Sequence, residues 1–277
     1  MKKHMKTHSQ YFIILLSLAV FSVMFALNFI LPIKKNSFYY GLNGRAWHWC
    51  EMLNSGLAIF YIFKTRKLNL KDLIISTILG LVVYFSNSYD YGIMSSIATI
   101  ICYYSACQIF RGYEQQNKFF DLKITGTIKS FFLGALYAIP FAIINNLAIY
   151  LSNGQNISNF SLYNIFSQIK YAMAPGISEE IIWHFFLVAF VTDLFKGSIP
   201  KTKTAQILTY ILAVVPHCLV HLPYMFTVNP LMAIFVLIFT SVLFGTPMVY
   251  LLKNKNLQTA IGFHWSVDFI RFLFVIW

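Results

Sequence analysis

The chain has 277 residues, of which 58% are hydrophobic and 11% charged, and its mean hydropathy is +0.65. A soluble domain of this length needs far more charge on its surface, so the composition excludes that class and points to a multi-pass protein of the cell membrane, with the lipid bilayer as a partner. The formal net charge of +12 is a topology signal, because the basic residues gather in loops; no soluble basic face is left for nucleic acid, and no nucleic-acid partner is expected.

Nine apolar segments are predicted in chain order, over 11–32, 46–63, 71–86, 91–110, 127–151, 169–195, 204–222, 230–252 and 257–277. Several are near the lower limit of about 17–20 residues for a span, which sets the expected count at eight or nine. The first follows Lys2, Lys3 and Lys6, but it is longer than the apolar core of a signal peptide and is read as a retained helix. Basic clusters follow the second segment (Lys64, Arg66, Lys67, Lys71), the fourth (Arg111, Lys118, Lys123, Lys129), the sixth (Lys196, Lys201, Lys203) and the eighth (Lys253, Lys255). The stretches 152–164 and 223–229 carry no Lys or Arg. Lys34, Lys35 and Arg45 run against this alternation. The fold class expected is all-α, a polytopic transmembrane helical bundle of about eight or nine helices with its N-terminus inside and its C-terminus outside.

Glu179 and Glu180 lie inside the sixth apolar segment. A carboxylate near the middle of a bilayer costs roughly 2.5–3.5 kcal/mol even on lenient scales, so a pair of them needs a polar interior and is a functional signal. Pro175-Gly176 just before them predicts a break, with a helix restarting on Ser178 as N-cap and both glutamates in its first turn. The cysteines Cys50, Cys102, Cys107 and Cys218 form no CxxC pair and are expected as small core residues.

Other polar groups fall in the last four segments at one recurrent spacing. Glu180 and His184, His217 and His221, and His264 and Asp268 are each four apart, so each pair lies on one face of a helix. Three such edges in one bundle are expected to converge on one site. Carboxylates and imidazoles without a Ser or Cys nucleophile suggest general-base activation of water by a glutamate, with donors on another helix stabilising the oxyanion. The sequence has no HExxH, no Gly-x-Ser-x-Gly and no Gly-x-Gly-Asp partner for Tyr89-Asp90, and too few histidines for a di-iron membrane oxidase. No inverted pair of broken helices suggests a transporter.

In this order, Glu179-Glu180-Ile-Ile-Trp-His184, His217-Cys-Leu-Val-His221 and His264-Trp-Ser-Val-Asp268 resemble the motifs of the CPBP family, also called Abi, which includes the CAAX prenyl endopeptidases. The family's pattern is Glu-Glu-x-x-x-Arg, then Phe-x-x-x-His, then His-x-x-x-Asn/Asp on successive membrane helices. The run 245–264 is also similar to the family's approach to the third motif. The resemblance implies a CPBP-like intramembrane protease domain over 127–277, with 1–126 as accessory N-terminal transmembrane helices. It implies Glu179 as the water-activating base with His221 as its partner, Glu180 as an orienting carboxylate, and His264 with Asp268 as the oxyanion pair. An ionised Asp268 cannot donate to an oxyanion, so it is either protonated or holds His264 in one tautomer, and Arg271, one turn on, is placed to keep it charged.

Two positions depart from the pattern. His184 stands where the family has arginine, which removes a permanent charge and a fork of five donors. His217 stands where it has phenylalanine, beside His221. No cofactor is expected for a glutamate mechanism, but His184, His217, His221 and a glutamate make a divalent metal such as zinc an open alternative. The function implied is an intramembrane endopeptidase acting on a peptide or membrane-protein substrate. The alternative is a catalytically silent member acting as a bacteriocin self-immunity factor or a regulator of membrane proteins.

Overall fold

Helices supply all the regular structure among the residues that the structure, a computed structural model, describes: 2–32, 38–65, 68–87, 92–114, 119, 123–153, 162–197 and 202–274. The main elements are α1 (Lys2–Ile30), α2 (Phe38–Thr65), α3 (Leu70–Ser86), α4 (Gly92–Gly112) and α5 (Ile124–Asn153). Next come α6 (Leu162–Glu179), which widens into a π-helical segment (Glu180–Phe185) and continues as α7 (Phe186–Leu194), and then α8 (Lys203–Val220). The short α9 (Pro223–Val228) precedes α10 (Pro230–Thr240), a second π-helical segment (Ser241–Gly245), α11 (Thr246–Asn254) and α12 (Leu257–Phe274). Six stretches are long and apolar enough to cross a membrane: Ser9–Ile30, Gly92–Gly112, Thr125–Leu151, Ile165–Leu194, Lys203–Val220 and Pro230–Asn254. The chain is an all-α polytopic bundle in which α2, α3 and α12 pack among these six. Of the three, α3 has 17 residues, while α12 carries His264, Asp268 and Arg271.

Packing follows the logic of lipid rather than water. Helix α3 turns Asp72, Ser76, Gly80, Val83 and Ser86 inward and leaves Ile74, Ile78, Leu81 and Phe85 exposed. Burying leucine gains little where the solvent is itself hydrocarbon, so small residues take the contacts and let backbones approach. The tightest crossing is α5 on α12. A Cβ on Gly134 would collide with the carbonyl oxygen of Thr259, and one on Gly262 with that of Phe131. Gly176 of α6 faces Trp265, where a Cβ would come within 3.1 Å of the tryptophan Cβ. These glycines seat α12 deep between α5 and α6.

The helix ends sort into two groups. At one end Gln10 Nε2 donates to the Leu194 carbonyl (2.6 Å), Lys64 Nζ pairs with Asp193 (2.8 Å), and Tyr113 OH donates to the same carboxylate (2.8 Å). Arg111 grips Asp72 there through both carboxylate oxygens (2.9 and 2.8 Å). These are the ends that carry the basic clusters, as the alternation of charge requires. At the other end Arg45 donates from Nε to Asn28 Oδ1 (2.7 Å) and from its terminal nitrogens to the carbonyls of Asn28, Leu31 and Pro32. Arg45 thus caps α1, which accounts for one of the three charges that run against the topology rule: it serves carbonyls a helix end leaves without partners. Lys34 and Lys35 lie outside the described residues.

Two expectations about breaks are corrected. No helix ends at Pro175-Gly176; α6 passes through both residues, and Ser178 Oγ donates to the Ala174 carbonyl (2.8 Å) inside the helix instead of capping a new one. One missing N–H is tolerated where close packing against α12 holds the helix together. The irregularity falls later, in the π-helical segment, whose wide turn is a form that recurs at functional sites. Likewise the 223–229 stretch, which falls between two of the predicted segments, contains α9.

Candidate functional site

The polar edges read from the sequence meet halfway along the bundle. Glu180, His184, His217 and Asp268 are buried, as are Glu179 and His264, whereas the His221 side chain, at the end of α8, is 51% exposed.

Helix lengths alone place His221 and His264 at different depths, since at 1.5 Å per residue His264 is only about 10 Å from the start of α12. A helix break at Pro216 or Pro223, or a strong tilt, is one way to bring them level. Instead α8 runs through Pro216, and the turn between α11 and α12 is set inward from the bundle end. Lys253 Nζ lies 4.6 Å from the ring centroid of Tyr210, seven residues into α8, and Asn256 Nδ2 donates to Ser130 Oγ (2.9 Å), six residues into α5. Seven residues of helix are about 10 Å, which lifts His264 to about the level of His217, with His221 a further turn along α8.

The groups close into a ring. His217 Nε2 is 2.7 Å from Glu179 Oε2, and its Nδ1 is 3.3 Å from His184 Nε2. His184 Nδ1 is 2.9 Å from Glu180 Oε2, and Glu180 Oε1 is 2.9 Å from His264 Nδ1. His264 Nε2 returns to Glu179 Oε2 at 3.4 Å. His221 Nε2 lies outside the ring, 3.8 Å from the same oxygen. Asp268 Oδ2 is 3.6 Å from His264 Nε2, and its other oxygen is held by Arg271 (2.9 Å). The partner closest to Glu179 is therefore His217, and His221, the partner implied by the family pattern, stands further off. His217 and His184 were read from sequence as possible metal ligands; their positions four residues from His221 and Glu180 were the signal for more.

Counting protons gives the pair its charge. Two imidazoles strung between two carboxylates need an N–H toward each carboxylate and a third between the rings. Three protons on four nitrogens make the His184–His217 pair a monocation, unless one glutamate supplies the proton itself. Either way the four groups together carry one negative charge, as two carboxylates and an arginine would. Asp268, paired with Arg271, accepts rather than donates, and His264 Nε2 donates toward Glu179 when the ring carries both of its protons, its Nδ1 facing Glu180.

Glu179 also lines a cavity of about 300 Å³, walled by Trp47 and His48 of α2, Ser86 and Asn87 at the end of α3, and Phe272 near the end of α12. These elements place it toward the end of the bundle opposite the basic loops. A donor set for a metal is present as well: one ligand atom each from Glu179, His217 and His221 lies within 4.8 Å of the others. Ligands 2.0–2.1 Å from a tetrahedral ion are about 3.3 Å apart, so the 2.7 and 3.8 Å separations from Glu179 would need small side-chain adjustments to hold zinc.

Residues 161–270 match the family described as type II CAAX prenyl endopeptidase Rce1-like. No curated protein and no solved structure matches the chain. The matched stretch contains all three motifs, and it is the family to which their order pointed.

Proposed function

On the premise that residues 161–270 are those of a CAAX prenyl endopeptidase Rce1-like protein, we propose that the chain is an intramembrane endopeptidase of the cell membrane, cutting a peptide or membrane-protein segment with a glutamate-activated water. The observation that carries this is Glu179, a buried carboxylate that lines a cavity and has three imidazoles within 3.8 Å of one oxygen. A water in the cavity gives its proton to Glu179 as its oxygen attacks the scissile carbonyl. Imidazole N–H groups of His264 and His221 face the developing oxyanion, and the proton on Glu179 then passes to the leaving amine. Glu180 takes no proton from water in this scheme; it orients His264 and His184. General-base assistance of this kind contributes typically 10²–10⁴-fold, with electrostatic stabilisation beyond it.

The test uses the full chain in detergent and a library of quenched fluorescent peptides. Wild type cleaves a subset, and Glu179→Gln, which keeps shape but removes the base, loses at least about a hundredfold in rate. Equal rates in the two proteins would refute the assignment. A wild type that cuts nothing in the library or in a membrane-protein panel would favour the silent, regulatory reading.

One observation favours a metal-assisted form of the same hydrolysis, namely the Glu179, His217 and His221 cluster. Zinc there would polarise the carbonyl and activate the water, with His264 and Glu180 in the roles given above.

A further inference from the structure

Helix α2 lies outside the stretch matched to the family, yet one of its faces is built into the site. Trp47, Glu51 and Asn54 follow one another at spacings of four and three, so they share a face. The Trp47 ring meets His221 edge-on with centroids 4.9 Å apart, and His217 at 6.1 Å. Its indole N–H donates to Glu51 Oε1 (2.9 Å), and Ser95 Oγ of α4 donates to the same oxygen (2.6 Å). Glu51 is 1% exposed. Two residues of one helix thus form a strut that ends on His221, with α4 as its footing. Three residues further along the same face, Asn54 Nδ2 donates to the carbonyl of Ile182 (3.3 Å), inside the π-helical segment that carries Glu180 and His184.

A buried carboxylate is expensive and needs a reason to be kept. Glu51 belongs to none of the motifs and touches no group of the ring. What it does hold is the indole, with His48 Nδ1 3.6 Å from its other oxygen. His221, in turn, has a weak hold of its own: it ends α8, its side chain is half exposed, and its nearest polar partner is 3.8 Å away. Neighbouring rings fix it, and of these Trp47 is the closest. An edge-to-face pair of this geometry gives direction as well as area.

We propose that Trp47, held by Glu51, is a positioning residue that keeps His221 over Glu179, so that α2 and α4 are part of the catalytic unit. The proposal rests on the hydrolytic reading for its rate consequences only; the contact between the rings is testable without any activity.

The full chain, labelled with ¹³C,¹⁵N-histidine and purified in detergent, gives ring-proton signals for His221 that His221→Ala identifies. Trp47 places those protons in its ring current. Trp47→Leu and Glu51→Ala should each move the His221 signals by the loss of that ring current, while Glu51→Gln, whose amide oxygen still accepts the indole proton, should leave them in place. With the peptide that wild type cleaves, the first two should lower kcat tenfold or more, because displacements of about an ångström cost up to a hundredfold. KM should stay near wild type, and Glu51→Gln should recover both the rate and the stability lost in Glu51→Ala, which strips two donors of their acceptor. His221 signals unmoved by Trp47→Leu would overturn the proposal, as would an unchanged kcat in Trp47→Leu and Glu51→Ala. If the signals move as expected while no protein cleaves any peptide, the strut stands and the hydrolytic reading fails.

Discussion

His184 Nε2 lies 3.3 Å from His217 Nδ1, so the two positions at which the chain departs from the Glu-Glu-x-x-x-Arg and Phe-x-x-x-His pattern touch each other. Each departure alone removes something. Together they rebuild a polar link between the two glutamates through two rings in contact, and the second imidazole becomes the closest partner of Glu179.

Because the two residues act as a unit, their substitutions should not add. His184→Arg alone forces a longer cation against a ring that already shares a proton, and His217→Phe alone leaves His184 without its bridge. Each should lower the rate at least tenfold, and the double variant His184→Arg/His217→Phe should recover most of it. The coupling expected for contacting residues in one network is about 0.5–3 kcal/mol. A double variant as slow as the product of the singles would separate the pair and remove the argument.

A stability prediction follows from the α5–α12 crossing. A side chain at Gly134 or Gly262 meets backbone, which cannot swing aside. Gly134→Ala and Gly262→Ala should each cost about 1–3 kcal/mol, the range for overpacking, seen as earlier thermal unfolding in detergent. Gly56→Ala, where nothing lies within 4 Å of the added Cβ, is the matched control and should unfold with wild type or slightly later.

Much of this was legible because lipid makes polar residues conspicuous. The i, i+4 pairs from Glu180 to Asp268 stood out against apolar helices, and the basic loops ordered the ends of the bundle. What stayed hidden depends on how helices stack. His221 and His217 both lie one helix over from Glu179, and only the register of α8 makes the nearer one His217. The inset turn that levels His264 with them shows in Lys253 against Tyr210, a contact no local pattern encodes. Trp47 and Glu51 were invisible for the same reason, since a tryptophan and a carboxylate four apart on an early helix carry no motif. At Pro175-Gly176 local propensity predicts a break that packing against Trp265 prevents.

Arg45 offers a test of how its charge is accommodated. Its guanidinium satisfies carbonyls of Asn28, Leu31 and Pro32 as well as the buried Asn28 side chain. Arg45→Ala should destabilise the chain by about 1–3 kcal/mol, the cost of leaving such groups unsatisfied. Arg45→Lys, a point charge without the fork, should recover only part of it. Reporter fusions after Glu114 should still read inside, and after Asn229 outside, in all three proteins. A flipped reporter in Arg45→Ala would make this residue a topology determinant and not a cap.

The last prediction concerns metal. Glu179 Oε2 and His217 Nε2 are 2.7 Å apart, the separation of a charge-assisted hydrogen bond and shorter than the roughly 3.3 Å between two ligands of one tetrahedral ion. The ring also spends His184, His217 and His264 on the two glutamates, leaving His221 as the one imidazole of the cluster with no closer polar partner than 3.8 Å. Glutamate chemistry with no metal therefore requires no rearrangement, whereas zinc requires Glu179 and His217 to part and His221 to swing in. Proteolysis by wild type should survive prolonged dialysis against a chelator, and titration with Co²⁺ should raise no visible d–d absorption. Loss of activity on chelation, restored by zinc, together with Co²⁺ bands abolished by His221→Ala, would shift the assignment to the metal-assisted form. The two accounts then differ at His217→Gln as well. In the metal-free site the glutamine amide still donates to Glu179, so that variant should keep more than a tenth of the wild-type rate; as a metal ligand its loss should be near complete.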